Sequence, residues 1–192
     1  MRISYVTYLP DQEIPVYDFV VQRKLVKYYT RETMAAMAAM AALYPDRKLD
    51  EDTPFFYATG ELEMMAFYIE ACQKMAGRHT RFSPELFLKE LVPQISPLTQ
   101  FKQMRNMTQC FVSIEYGLRG DNAALLRSGS GMLYEAMLCP GNRPVLIGAG
   151  RLYADNRVEV GFAEVLPSEL EGHPLLGKDF EPVDFFRTHQ PA

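Results

Sequence analysis

The chain has 192 residues, 48% of them apolar, and a formal net charge of −4, with acidic and basic residues mixed along its whole length. This length favours one substantial hydrophobic core over two full-sized domains, and the charge excludes the basic footprint that nucleic acid or an anionic membrane would select. We therefore expect the partner to be a protein or a small molecule.

Targeting signals and cysteine usage point to a cytoplasmic location. Residues 1–10 hold too short an apolar stretch for a secretory signal peptide, and no run of about 18 apolar residues occurs in the chain. We expect a soluble, cytoplasmic protein. Cys72, Cys110 and Cys139 are odd in number and lie in apolar segments, which indicates reduced core or near-core thiols rather than a disulfide framework.

The first predicted elements are a strand and a helix. Residues 3–9 alternate β-branched and aromatic side chains and stop at Pro10, which is typical of a short strand. Thr30 is placed to cap a helix that runs through residues 34–43. Glu32 would lie near the positive N-terminal end of that helix, where a carboxylate is favourable.

The next segments predict a buried strand and two helices. Residues 54–58 form an apolar run that suits a strand buried on both faces. Residues 62–76 carry apolar side chains at three- and four-residue steps, which predicts a helix that ends at Gly77. Ser83 followed by Pro84 predicts the start of a further helix, which ends near Pro93.

The middle of the chain predicts a helix, a turn, a short inner strand and another helix. Residues 98–115 read as helical, and the Gly, Asp and Asn residues of 117–122 predict a turn. Residues 123–127 are short enough for an inner strand, residues 128–131 make a tight corner, and residues 132–139 continue as a helix.

The last strands predict a hairpin, and the pattern as a whole predicts the fold class. Residues 144–153 and 158–166 read as strands joined through Asp155 and Asn156. Alternating strands and helices predict an α/β fold with a mostly parallel five-stranded sheet and helices on both faces. The final twenty residues read as irregular, yet they carry apolar side chains and should pack on the body or on a partner: Leu175, Leu176, Phe180, Phe185 and Phe186.

Short motifs at fixed separations occupy residues 95–138. They are Ile95-Ser96-Pro97, Asn106-Met107, Tyr116-Gly117-Leu118-Arg119-Gly120, and the Ser-Gly-Ser-Gly corner at 128–131. This stretch resembles the N-terminal half of the β-ketoacyl synthases of the thiolase fold, whose Ser-Pro, Asn-Met and Gly-Leu-Arg-Gly-Pro motifs have the same separations. The resemblance implies a single synthase-like domain over residues 1–170 and a C-terminal extension over residues 171–192.

The resemblance also implies that the nucleophile is missing. In the family, the strand after Gly-Leu-Arg-Gly-Pro leads into Thr-Ala-Cys, whose cysteine lies at a helix N-terminus that helps to form the thiolate. Here Arg127, Ser128 and Gly129 fall on these positions, and Asp121 replaces the proline. The C-terminal half with its catalytic histidines is also lacking. We expect a non-catalytic homologue with no cofactor and no metal site.

Ser130 is the alternative nucleophile that the corner offers. The Gly-x-Ser-x-Gly pattern of hydrolases is not met, because Ser128 stands two residues before Ser130. No histidine or acid is tied to Ser130 by the sequence, so we interpret it as a helix-capping serine. His79, His173 and His189 are interpreted as surface or packing residues.

The family resemblance implies a dimer interface. The strand that precedes the nucleophile pairs antiparallel with the same strand of a neighbouring subunit. In this chain that strand comprises Ala123, Ala124, Leu125, Leu126 and Arg127.

The resemblance further implies a chain length factor, a subunit that binds an active β-ketoacyl synthase and shapes its acyl tunnel in aryl-polyene-type type II polyketide or fatty-acid-like biosynthesis. An acyl carrier protein is then an indirect partner. Thr99, Gln100, Gln103 and Met104 occupy the tunnel-lining positions, or they only pack the interface. The alternative is a homodimeric thiolase-fold protein that binds an acyl or aromatic ligand, or another partner, without a ketosynthase. An enzyme with new chemistry ranks third.

Overall fold

The computed structural model describes residues 1–60, 73, 83–94 and 104–189. Apart from Gln73, the predicted helix at 62–76 lies outside these residues. So does the part of the predicted helix at 98–115 that precedes Met104. None of the helices in this part of the chain is long and apolar enough to cross a membrane.

Five strands form one open sheet in the order β1-β5-β4-β2-β3. Strand β2 pairs in parallel with both β3 and β4, whereas β5 pairs antiparallel with both β4 and β1. The α/β class and the five strands are as predicted. The strand bounds are Arg2–Tyr8 for β1, Phe55–Thr59 for β2, Asn122–Leu126 for β3, Val145–Leu152 for β4 and Val158–Val165 for β5.

The prediction of a mostly parallel sheet is wrong, because two of its four strand pairings are antiparallel and the sheet is mixed. The reversal follows from the hairpin between β4 and β5, where Asn156 adopts a left-handed conformation (φ 71°) and Tyr153 N–H donates to the Arg157 carbonyl at 2.8 Å. Strand β1 then pairs with the reversed strand β5.

Helices α1 (Arg31–Leu43) and α3 (Met107–Tyr116) cover one face of the sheet. Thr30 caps α1 as predicted, since its hydroxyl accepts from Thr33 N–H at 3.1 Å. The helix buries Met37 and Met40 against the sheet residues Phe55, Tyr57, Leu146 and Phe162. Two 3₁₀ helices, Val16–Asp18 and Arg23–Tyr28, precede α1. The short helix α2 (Pro84–Leu86) continues as a π-helical turn over Phe87–Leu91 and a 3₁₀ turn over Val92–Gln94.

Among the described residues, three helices cover the other face, namely α4 (Gly129–Met137), α5 (Pro167–Leu170) and α6 (Pro182–Thr188). The C-terminal segment was predicted to be irregular, and α6 corrects this. A seven-residue helix is too short to be stable on its own, so its stability comes from packing rather than from local sequence preference. Phe185 and Phe186 are fully buried in the core on this face.

Candidate functional site

The chain turns sharply from β3 into α4. Arg127 takes a left-handed conformation (φ 54°), and its N–H donates to the Thr59 carbonyl at 2.9 Å, which holds the turn against the end of β2. The Ser128 hydroxyl accepts from Gly131 N–H at 2.9 Å and caps the helix. The capping role expected of Ser130 is therefore wrong, because the N-cap is Ser128.

Gly129 is the first residue of α4 and is buried beneath the C-terminal segment. A Cβ atom built on Gly129 would lie 2.5 Å from Cζ and 2.8 Å from Cδ2 of the Phe180 ring. Contacts this short do not occur between real carbon atoms, so any side chain at position 129 requires the ring to move. The position at which the resemblance to the synthases would place a nucleophile is thus filled by an aromatic ring of the same chain.

Two further glycines receive side chains from the C-terminal segment. Gly60, directly after β2, lies against the Glu181 carboxylate, and Gly161 in β5 lies against the Phe186 ring. A Cβ on Gly161 would approach Phe186 Cδ1 to 2.9 Å. The missing side chains of Gly60, Gly129 and Gly161 thus provide the space for three residues of the segment.

Ser130 is engaged by the same segment. Its hydroxyl accepts a 2.7 Å hydrogen bond from the backbone N–H of Gly177. The structure thus pairs this serine with a backbone donor, which is not the arrangement of a base-activated nucleophile.

The two histidines in the described part of the C-terminal region pack together. The ring centroids of His173 and His189 are 5.5 Å apart, and the His189 ring stacks on Phe185 with centroids 4.7 Å apart. Burial, and then the neighbouring His189, lower the pKa of His173. These contacts fit the packing role expected of both residues, while His79 lies outside the described residues.

A buried carboxylate ties α6 to the β4–β5 hairpin. Glu159 has a side chain only 4% exposed, and it forms ion pairs with Arg187 and, at 2.7 Å, with Arg157. The Tyr153 hydroxyl also donates to it at 3.0 Å. Burial alone would raise the pKa of Glu159, but the hydrogen bonds from Arg187 and Tyr153 outweigh burial and the pKa is lowered. A second ion pair, Arg151–Glu181 at 3.4 Å, lies beside this cluster.

The residues predicted to form a dimer interface lie on the edge of the sheet. Ala123, Ala124, Leu125 and Leu126 belong to β3, whereas Arg127 lies in the turn that follows it. Strand β3 pairs with β2 on one side only, and no strand of the described residues covers its other side. Within the described part of the chain β3 is an edge strand, so the prediction of an inner strand at residues 123–127 is wrong. The side chain of Leu126 is 54% exposed at this edge.

The helical segments that adjoin this edge also carry exposed apolar side chains. Helix α3 is joined to the start of β3 by a hydrogen bond from Gln109 Nε2 to Asn122 Oδ1 at 2.8 Å. On the other face, the Leu125 side chain lies beside Gly131 of α4. Ile114 of α3 and Leu138 after α4 are 54% and 72% exposed. We call Ile114, Leu126 and Leu138 the apolar edge.

Only one of the predicted tunnel residues is described. Met104 lies in the turn before α3 with half of its side-chain surface exposed, and its carbonyl accepts from Met107 N–H at 3.2 Å. Thr99, Gln100 and Gln103 lie outside the described residues. Within the described ranges, no cluster of three or more side chains could hold a metal ion, and Cys110 and Cys139 are free thiols.

Sequence reasoning missed a buried acid on the opposite face of the sheet. Glu32 was expected to interact with the end of α1, but its side chain is buried and accepts a 2.7 Å hydrogen bond from the Tyr57 hydroxyl. Burial raises the pKa of Glu32 to about 6, and the Tyr57 hydrogen bond opposes this rise. Gly150 lets the two groups meet, because a Cβ there would overlap both of them.

No family model matches the chain, and no curated protein matches it significantly. A functional proposal therefore rests on the motif resemblance and on the geometry of the corner, the C-terminal segment and the sheet edge.

Proposed function

We propose that this chain is a non-catalytic relative of the β-ketoacyl synthases, with a thiolase-like fold, that pairs with an active ketosynthase in the manner of a chain length factor. The observation that carries the proposal is at Gly129. A strand, a sharp corner and a helix follow one another here, but the first helical position has no side chain and its space holds the Phe180 ring. Catalysis would come from the partner.

The Gly-Leu-Arg-Gly turn supports the thiolase-like part of the proposal, since each of its glycines has a structural task. Gly117 ends α3 in a left-handed conformation (φ 71°), and Gly120 passes so close to the loop before β2 that a Cβ would lie 2.7 Å from the Asp52 carbonyl carbon. Arg119 N–H donates to the Glu51 carbonyl at 2.6 Å. The turn delivers the chain into β3 and then to the corner.

The apolar edge supports the pairing. An exposed strand edge presents backbone donors and acceptors to another strand, and apolar side chains beside it favour burial against a protein partner. Leu126 on the strand is exposed, and the adjoining helical segments expose Ile114 and Leu138.

The C-terminal segment favours the second candidate, a homodimer without a ketosynthase. Phe180, Phe185 and Phe186 already cover the sheet face on which α4 packs, so the chain does not need a second synthase half to bury that face. The open edge of β3 would then pair with the same strand of a second copy.

The pairing is tested by comparing Leu126→Glu with a matched control, Leu9→Glu. Both side chains are exposed, at 54% and 61%, but Leu9 follows β1 at the opposite edge of the sheet. Each variant is coexpressed with an active β-ketoacyl synthase from the same organism, and the mass of the complex is measured by light scattering. An unpaired carboxylate buried in an interface costs several kcal/mol, so we expect Leu126→Glu to weaken the complex at least about 100-fold and Leu9→Glu to leave it intact.

Each outcome of this experiment decides between the candidates. A heterodimer that Leu126→Glu disrupts supports the proposal, and a homodimer that the same change disrupts supports the second candidate. If neither assembly forms, or if both variants behave alike, the pairing proposal fails.

The tunnel role is tested separately within an intact complex. Thr99 and Met104 are changed in turn to Ala and to Trp, and the length of the acyl product is measured. If side-chain volume at these positions limits the chain, the Trp variants shorten the product and the Ala variants lengthen it. An unchanged product length from an intact complex contradicts a gating role for these residues.

A further inference from the structure

The C-terminal segment has a loosely held part between two fixed points. Before it, Leu170 of α5 is 1% exposed, and after it, Phe185 and Phe186 of α6 are fully buried. Residues 171–181 lie between these anchors and run over the first turn of α4, where Phe180 meets Gly129. We call residues 171–181 the lid.

Among the described residues, the lid is fixed most firmly at its last residue, where Glu181 pairs with Arg151 at 3.4 Å, and the His173 ring contacts Phe185. The rest of the lid is held by weaker contacts. Leu175, Leu176 and Phe180 are its apolar contacts with the body, and all three are only partly buried. Its backbone donates one hydrogen bond to the Ser130 hydroxyl, from Gly177 N–H at 2.7 Å. Other backbone bonds of the lid are local turns, such as the one from Lys178 N–H to the Leu175 carbonyl.

The lid also contains two glycines in left-handed backbone conformations. Gly172 and Gly177 have φ angles of 70° and 74°, in the left-handed region that glycine enters without steric cost. A Cβ on Gly172 would meet nothing within 4 Å, so the space beside this residue is open. Segments with few buried contacts and exposed backbone open locally at much lower free energy than the whole domain unfolds.

We propose that residues 171–181 form a lid that opens and closes over the first turn of α4 while α6 stays anchored. Opening withdraws the Phe180 ring from Gly129 and the Gly177 N–H from Ser130. An apolar chain that approaches this turn has to displace the ring. The inference rests on contacts within this chain and holds for either candidate function.

A thiol introduced at position 130 reports the opening. In Ser130→Cys the sulfur replaces the half-buried oxygen that accepts from Gly177 N–H of the lid, and its alkylation by iodoacetamide is followed by mass spectrometry of the peptide that contains residue 130. Leu138→Cys is the matched control, because that side chain follows α4 and is 72% exposed. We expect the thiol of Ser130→Cys to react more slowly than that of Leu138→Cys, and with little dependence on urea. Adding Phe180→Ala should speed this reaction at least tenfold and leave the reaction of the Leu138→Cys thiol unchanged.

Two results would overturn the lid. In the first, the thiol of Ser130→Cys reacts only with the urea dependence of global unfolding, which means that the segment opens with the whole domain. In the second, Phe180→Ala leaves the labelling rate at position 130 unchanged in a folded protein. If Phe180→Ala does not fold, Leu176→Ala removes a different lid contact and is judged by the same two criteria.

Discussion

The lid and helix α6 belong to one C-terminal segment but are held in different ways. Helix α6 buries Val183, Phe185 and Phe186 completely and is joined to the sheet by the ion pair between Arg187 and the buried Glu159. The lid contacts the body mainly through partly buried apolar side chains, and its last residue, Glu181, forms an ion pair with Arg151. Burial of this extent makes α6 part of the core, whereas the lid contributes little to global stability and can move.

This difference assigns separate tasks to the segment. Helix α6 completes one face of the sheet, and the lid covers the corner where the family resemblance places a nucleophile. The absence of a side chain at Gly129 has a structural consequence of its own, because it leaves the space in which Phe180 lies.

The largest expected effect separates the two parts of the segment directly. Phe186→Ala removes a fully buried ring and should lower the free energy of unfolding by about 3–5 kcal/mol. Phe180→Ala removes a half-buried ring and should cost only about 1–2 kcal/mol. Urea unfolding followed by circular dichroism measures both, with the exposed Leu138→Ala as a control that stays within about 0.5 kcal/mol. Equal costs for the two phenylalanines would contradict the distinction between lid and anchor.

The next effect is on the anchor. Glu159→Gln keeps the shape of the side chain but removes the charge that Arg157 and Arg187 share, and we expect a loss of about 2 kcal/mol at pH 7. Glu171→Gln, an exposed position in the lid, is the control and should change stability by less than about 0.5 kcal/mol. A loss of less than about 0.5 kcal/mol for Glu159→Gln would contradict the claim that these ion pairs help to hold α6 on the sheet.

The pH dependence of this loss has a defined sign. The folded pKa of Glu159 is lowered, so its contribution is present above the ordinary glutamate pKa of 4.5 and disappears as pH falls through the folded pKa. The stability difference between wild type and Glu159→Gln should therefore be constant from about pH 6 to 8 and shrink below about pH 4. A difference that persists undiminished in more acidic solution would mean that the carboxylate's charge is not its source.

Glu32 provides a contrast from the opposite face of the sheet. Its folded pKa of about 6 lies above the ordinary value of 4.5. The contribution of Glu32 to the free energy of unfolding is therefore greatest below pH 4.5 and is lost as pH rises through 6. A shift of this size corresponds to about 2 kcal/mol. Glu32→Gln should flatten the stability profile between about pH 4.5 and 6.5 and leave iodoacetamide labelling of Ser130→Cys unchanged. A variant that is less stable than wild type at about pH 8 by more than about 1 kcal/mol would contradict this sign.

Tyr57→Phe is the companion to that variant. The Tyr57 hydroxyl donates to Glu32 and holds its pKa down against the effect of burial. Removing the hydroxyl should move the titration of Glu32 to higher pH, which appears as a shift of the stability profile in the same direction. An unshifted profile would mean that the hydrogen bond does not act on the carboxylate.

The local elements were predictable because their signals are local. The alternation in residues 3–9, the Thr30 cap and the Asn156 turn each depend on a few neighbouring residues, and β1, α1 and the β4–β5 hairpin lie where they were expected. Strand direction was not predictable in this way, because a strand has the same period of two in either direction. The mixed character of the sheet follows from long-range pairing of β1 with β5.

The candidate site was predicted in position but not in content. The corner at residues 128–131 was predicted from the motif spacing. Its N-cap was not, because either Ser128 or Ser130 could have capped the helix, and only the structure shows that the Ser128 hydroxyl does so. The contact between Gly129 and Phe180 joins residues far apart in the chain, and no periodicity encodes it. Glycines at Gly60 and Gly161, in or next to strands, were the available signal of close packing.

The most direct test of the central claim is a double-mutant cycle between Gly129 and Phe180. Gly129→Ala forces a Cβ into the Phe180 ring, so it should lower the free energy of unfolding in the wild-type background. In the Phe180→Ala background the space is open, and alanine in the first turn of a helix should be neutral or slightly stabilising. We predict a coupling of at least about 1 kcal/mol from urea unfolding of the four proteins. Additive effects of the two changes would contradict the claim that Phe180 fills the place of the missing side chain.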